Sequence, residues 1–339
     1  MAKNSLSEKM GQIVDLHRGS SDPHAMMHDI VSMLFDLPEQ EAVSHDLKTL
    51  YAAFREIDHA FEFFSPYTGL KKVSIFGSAR TVPSDPIYNH AYEFSRKMAE
   101  AGFMVITGAG DGIMRSAQEG AGVGKSFGLN IILPFEQAAN EFIKDDPKLI
   151  TFKYFFVRKL FFVKEANALA FFPGGFGTHD EGFETLTLLQ TGKCDPAPVV
   201  FIDAPGGSHW KAWHAYIHDR LLSKGLISSE DMSLFKITDQ IDDAVSEITH
   251  FYRHYHSMQL INGQTAILIK QKLSAEQVES LNDRFSEIIV KDKIVQTDLP
   301  KEAQNTGAES QILFYFNRRN FGWLREMINA INDFSDSKE

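Results

Sequence analysis

The chain has 339 residues, enough for one large α/β domain with smaller additions, and its 43% hydrophobic and 23% charged residues are those of a globular protein. The formal net charge of −11 argues against nucleic acid as a main partner, since phosphate-neutralising proteins carry basic excess. Cys194 is the single cysteine, so no disulfide can form within the chain.

No apolar run approaches the ~18 residues of a membrane span, and the polar stretch Met1 to Asp22 lacks the apolar core of a secretory signal. These features point to a reducing cytoplasm, with no membrane partner.

In chain order, residues 1–70 read as a helical region. Met26–Leu37 and Leu47–Phe64 carry apolar residues at helical spacing, with Pro38 and Pro66 as breaks. From 71 to 205 strands alternate with helices. Predicted strands are Val73–Phe76, Phe103–Thr107, Gly128–Leu133, Leu169–Phe172 and Val199–Ile202. Predicted helices are Ile87–Glu100, Ile113–Gly120, Phe155–Ala166 and Thr178–Gln190. Continuous apolar strands separated by helices imply a Rossmann-like, doubly wound parallel sheet covered on both faces. Trp210–Leu222 and Ile241–Tyr255 read as closing helices, which ends this domain at 256. Residues 257–339 read as a small α+β unit. Its strands are Ala266–Ile269, Ile294–Gln296 and Gln311–Phe316, and its helices Ala275–Ile289 and Phe321–Phe334.

Three predicted strands end in glycine: at Gly77-Ser78, at Gly108-Ala109-Gly110-Asp111-Gly112, and at Gly174-Gly175-Phe176-Gly177. In an open parallel sheet the carboxyl ends of the strands form the ligand crevice, and glycine lets backbone N–H groups approach an anion. A strand simply ending in a turn is the plainer reading of the first two loops. Gly120–Ser126 imitates a phosphate loop, but Glu119 stands where its first glycine belongs, and it follows a helix. The 108–112 loop is not G-x-G-x-x-G either, so a dinucleotide fingerprint is absent.

The third loop, Pro173-Gly174-Gly175-Phe176-Gly177-Thr178-His179-Asp180-Glu181, follows a strand and opens a helix. It carries the pattern PGGxGTxxE and so resembles the Lonely Guy (LOG) family, phosphoribohydrolases once mislabelled lysine decarboxylases. Arg158-Lys159 one helix upstream and Thr187 downstream fall at family positions. Ser74–Ala79, Thr107–Met114 and Asn130–Gln137 are similar to the long bacterial members, so the resemblance covers about residues 71–255. Ala109, Asp111 and Arg115 depart from the pattern.

The resemblance implies hydrolysis of the N-glycosidic bond of nucleoside 5′-monophosphates, AMP-like or of the cytokinin type, to free base and ribose 5-phosphate, with no cofactor. It implies Arg158 and Glu181 as catalytic residues. Gly77, Ser78, Gly108, Gly110, Gly112, Lys159, Gly174, Gly175, Gly177, Thr178, Glu184 and Thr187 would hold substrate. It also implies a homodimer, each active site near the subunit interface.

Each role has a plainer alternative. Thr178-x-x-Glu181 also fits a capping box, in which Glu181 satisfies only a backbone amide. Arg158 and Glu184 suit a solvated helix face. Lys159 points about 100° away from Arg158. His214 and His218 stand four apart, a spacing used for metal, but no third ligand accompanies them, so no metal is expected. No lysine sits in a motif suited to a pyridoxal phosphate Schiff base. A nucleotide-binding sensor or carrier without turnover is the alternative function.

Overall fold

The computed structural model describes residues 41–134, 138–303 and 306–334, with isolated positions 26 and 30. The segment Met26–Leu37 therefore falls almost wholly outside the described residues. Two compact units result, Met1–Asp58 and His59–Glu339. In the first, the described part is the beginning of helix α1 (Glu41–Phe64), which exposes Leu47, Leu50, Tyr51 and Phe54. The boundary falls inside α1, and Pro66 follows in a short 3₁₀ turn.

The second unit opens with β1 (Lys72–Phe76), buried along its whole length. Asp85 then caps α2 (Pro86–Glu100), accepting from the Ile87 amide at 3.0 Å ahead of Pro86, whose missing N–H costs nothing there. β2 (Met104–Thr107), α3 (Ile113–Ala121), β3 (Ser126–Ile131) and β4 (Leu149–Phe152) follow. After them come α4 (Phe155–Lys164), β5 (Ala168–Phe171), α5 (Phe176–Gln190), β6 (Val199–Ile202), α6 (His209–Tyr216) and β7 (Lys236–Thr238). α7 (Ile241–Phe251) closes this layer.

The seven strands lie in the order β4-β3-β2-β1-β5-β6-β7, all paired in parallel. This is the Rossmann-like α/β sheet expected. The order reverses at β1, whose neighbours are β2 on one side and β5 on the other. A crevice opens at such a switch point because the two following crossovers run to opposite sides.

The edge strands β4 and β7 were not among the predicted ones. β4 alternates buried and exposed positions, and β7 has three half-buried residues, so neither carries the continuous apolar signature of a central strand. The predicted helix Trp210–Leu222 is also different. It turns α-helical only to Tyr216, then passes through a π-turn (Ile217–Leu221), so His214 and His218 do not share one regular α-helix.

Strand β8 (Tyr255–Ile261) runs across the expected domain end at 256 and pairs with β9 (Gln264–Ile269). The Asn262-Gly263 turn joins them, both residues at positive φ (50° and 82°). α8 (Ala275–Arg284), β10 (Val295–Asp298), β11 (Ser310–Phe314) and α9 (Phe321–Asp333) complete an antiparallel sheet of order β10-β11-β9-β8. One apolar cluster runs from Val73, Ile75 and Phe94 under the parallel sheet to Ile267, Phe314 and Ile328 in the second. Among the described residues no helix is long and apolar enough to cross a membrane.

Candidate functional site

A cleft of about 810 Å³ lies at the carboxyl ends of β1, β2 and β5. Gly77, Ser78, Gly108, Arg158, Gly174, Gly175, Gly177, Thr178 and Glu181 line it, joined by Arg80, Met114, Phe155, Phe162, His179 and Asp180.

The three glycine loops are stitched together by backbone. The Ser78 amide donates to the Pro173 carbonyl (3.1 Å), and the Ser78 carbonyl accepts from the Ile113 amide (3.0 Å). Gly174 is required by this convergence. A Cβ there would collide with the Thr178 hydroxyl, lie 2.7 Å from Thr178 Cβ and crowd the Ser78 amide at 3.1 Å.

α5 starts at Phe176, with Gly175 as N-cap, two residues before the predicted start. Thr178 is thus the third residue of the helix, and its amide bonds to the Gly175 carbonyl. The capping-box reading of Glu181 fails for this reason. The amides of the first two residues of such a helix, here Phe176 and Gly177, have no intrahelical acceptor, and its positive end lies at the cleft.

The second loop behaves otherwise. Its carbonyls are used: Gly108 O accepts from Arg158 Nη2 (3.1 Å), and Ala109 O and Gly110 O accept from Asn140 Nδ2 (3.1 and 2.9 Å). Asn140 Nδ2 also meets Gln118 Oε1 at 2.6 Å. Ala109 is buried at φ 62°, a left-handed conformation that costs an alanine roughly 1–2 kcal/mol. Gly110 and Gly112 do not line the cleft; Gly112 lies against the Ser78 carbonyl.

Arg158 is fixed by the carbonyls of Leu129 (Nε, 2.7 Å) and Gly108, and its guanidinium lies 5.1 Å from the centre of the Phe162 ring. Burial pulls its pKa down to about 10, against the opposing charge of Glu181, so it stays charged at neutral pH. Burial likewise raises the Glu181 carboxyl. Lys159 draws it back, Glu184 adds to the rise, Arg158 opposes and Asp180 adds, with a net value of about 7. An acid with that value exchanges its proton readily near neutrality.

Lys159, Glu184 and Thr187 do not line this cleft. Lys159 Nζ pairs with Glu184 (2.5 Å) and Asp180 (2.9 Å). Burial lowers its pKa, but these two hydrogen bonds outweigh that and leave it raised. Lys159 and Glu184 line a second cleft of about 770 Å³ with Phe156, Leu160 and Leu188. The Thr187 hydroxyl donates to the Phe183 carbonyl (2.7 Å).

Cys194 is no nucleophile: burial and the nearby Asp195 charge push its thiol up to about 12. Among the described residues no three His, Cys, Asp or Glu side chains cluster as a metal site.

Sequence reasoning missed Arg80, one residue past the segment that carried the resemblance. It also missed Asn140, whose role depends on contacts 30 and 31 residues away.

The fold and site define a Rossmann-like protein with a helix N-terminus and an adjacent acid at its switch point. Residues 111–248 match the family model described as "Possible lysine decarboxylase". That segment contains the whole PGGFGTHDE stretch and is a LOG-family segment. Among solved structures, the chain is similar to the structural-genomics protein TM1055 (22% identity, 53% of this chain and 99% of that one, TM-score 0.38). It is also similar to the molybdenum cofactor carrier protein of Chlamydomonas reinhardtii (19%, 53% and 96%, TM-score 0.37). A third is DNA processing protein A of Helicobacter pylori (17%, 52% and 79%, TM-score 0.36). Comparison with curated proteins gives no match.

Proposed function

We propose that the cleft hydrolyses the N-glycosidic bond of nucleoside 5′-monophosphates, releasing free base and ribose 5-phosphate. One observation carries the reading. The amino end of α5 and the half-buried acid Glu181 meet in the same cleft, within a LOG-family segment. The helix end suits a phosphate. Glu181, once ionised, takes a proton from water as its oxygen joins C1′ and the C1′–N bond breaks. Its charge also favours the oxocarbenium-like sugar on the way. The departing base nitrogen then takes up a proton, and the protonated Glu181 gives its own back through solvent, which restores the carboxylate. Arg158 supplies a positive charge of fixed orientation, with three of its five N–H donors not taken by the two carbonyls.

The decarboxylase description finds no support in the cleft, which no lysine lines among the described residues. The lone Cys194 accords with a reducing cytoplasm. We place the catalytic domain at about residues 71–256, preceded by an N-terminal helical region, and assign the α+β unit that follows to assembly or regulation.

We further propose a homodimer built on the outer faces of α4 and α5. Phe155, Phe156, Leu160 and Phe183 are exposed there, and Phe176 is 96% exposed at the cleft mouth. Light scattering should give twice the chain mass, and Phe156→Glu with Leu160→Glu should halve it.

The decisive assay incubates the purified protein with a panel of nucleoside monophosphates and detects free base and ribose 5-phosphate, with Glu181→Gln alongside. Release by wild type and not by the variant supports the hydrolase. Saturable binding with no release from any member replaces it with a nucleotide carrier.

A further inference from the structure

The cleft holds two arginines in different states. Arg158 has its guanidinium plane fixed by two backbone carbonyls and an aromatic face. Arg80 lines the same cleft from the first loop, and its side chain is exposed. Among the described residues it makes no ion pair, and its side chain donates no hydrogen bond. Its backbone is nevertheless held: the Arg80 amide donates to Ser78 Oγ at 3.1 Å, in a short turn anchored through the Ser78 amide to Pro173. The stem of Arg80 is thus fixed beside the third loop while all five of its donors remain available.

The acids of the cleft do not claim it. Asp180 is paired with Lys159, and Glu181 feels Lys159 and Arg158. An unpaired fork on an anchored turn, across a loop junction from a helix N-terminus, suits a dianionic phosphate gripped from two sides.

We propose that Arg80 is the residue that recognises the 5′-phosphate and makes the site select nucleotides over nucleosides. This rests on the nucleoside monophosphate reading of the cleft. Arg158, committed to the Leu129 and Gly108 carbonyls, then serves the sugar and base end. The sulfur of Met114 and the ring of Phe155 line the remaining wall.

The test compares wild type, Arg80→Ala and Arg80→Lys in two independent measurements. One is calorimetric binding of ribose 5-phosphate and of ribose. The other is steady-state hydrolysis of a nucleoside monophosphate and its parent nucleoside. Arg80→Ala should weaken ribose 5-phosphate binding and raise KM for the nucleotide by roughly 10- to 100-fold, the range of a lost charge-assisted pair. It should change kcat less than about threefold and leave ribose binding and nucleoside turnover as in wild type. Arg80→Lys should recover most of the loss. Melting temperatures should coincide, since the side chain holds nothing in the fold.

Unchanged ribose 5-phosphate affinity in Arg80→Ala overturns the assignment, as does an equal loss for phosphorylated and unphosphorylated ligands. Hydrolysis by wild type with no Arg80 effect leaves the proposed function standing and removes Arg80. Arg80-dependent binding of ribose 5-phosphate without hydrolysis leaves Arg80 standing and removes the hydrolase. Failure of wild type to bind ribose 5-phosphate at all overturns both.

Discussion

The loop after β2 and the loop after β5 are both glycine-rich, and both lead from a strand into a helix. By composition they are the same device. In the structure the first turns its carbonyls to work, on Arg158 and Asn140, and closes around a buried amide. The second turns a helix N-terminus to the cleft and keeps Thr178 and Glu181 at its edge. Glycine allows close backbone approach, but which pole of the peptide is presented depends on what comes near. A cation and an amide NH₂ arrive at one loop; space is left at the other.

The contrast can be broken most forcefully at Glu181. Glu181→Gln should lower kcat at least about 100-fold, the lower range for a lost acid–base group, while binding of ribose 5-phosphate persists. In wild type, kcat/KM should rise with pH through an apparent pKa near 7, because the ionised form does the work. The same group has a stability signature. Its folded pKa lies above that of a free carboxyl, so folding disfavours the charge. Its cost is absent below the ordinary carboxylate range and grows as pH rises through about 7. Glu181→Gln should therefore melt higher than wild type at pH 8 and no higher at pH 4. A reversed order would mean that Glu181 is held ionised.

Gly174→Ala comes next. Its Cβ has to displace Thr178, so the loop must open. Stability should fall by about 1–3 kcal/mol by denaturant titration, and kcat/KM should fall with it.

Asn140→Ala attacks the other loop. It strands the Gly110 carbonyl and the Gln118 amide oxygen, while the Ala109 carbonyl keeps the backbone amide of position 140, and should cost about 2 kcal/mol. Its effect on turnover of the folded protein should be only a few-fold, through a loosened Gly108 contact to Arg158. A larger loss of turnover than of stability would mean that the second loop touches substrate.

Ala109→Gly has the smallest expected effect. Relief of the left-handed backbone slightly outweighs the entropy of glycine, giving a stabilisation of about 0.5 kcal/mol.

The same contrast explains what could be read in advance. The central strands were legible because each is buried on both faces, as β1 is throughout. The third loop was legible because its residues act within nine positions of each other. Edge strands β4 and β7 are short and half wet, so periodicity does not mark them. The hairpin of β8 and β9 was marked, by Asn262-Gly263, but its strand of mixed polarity (Tyr-His-Ser-Met-Gln-Leu-Ile) hid the apolar alternation. Lys159 was grouped with the site by its family position and Glu184 by its three-residue step from Glu181; the structure pairs the two with each other and lines a neighbouring cleft with them, with Lys159 also reaching Asp180. Asn140 was invisible because no local pattern announces a contact to a loop 30 residues upstream.

Helices α4 and α5 form a wall with a different duty on each side. Arg158 and Glu181 face one cleft, and their close neighbours Lys159 and Glu184 face the other. Such a wall has little freedom to drift over evolutionary time. A substitution that improves one face shifts the backbone that positions the other, so acceptable changes must satisfy both at once. New substrate preferences should therefore arise more easily in the loops around Arg80 and Met114, which answer to a single cleft.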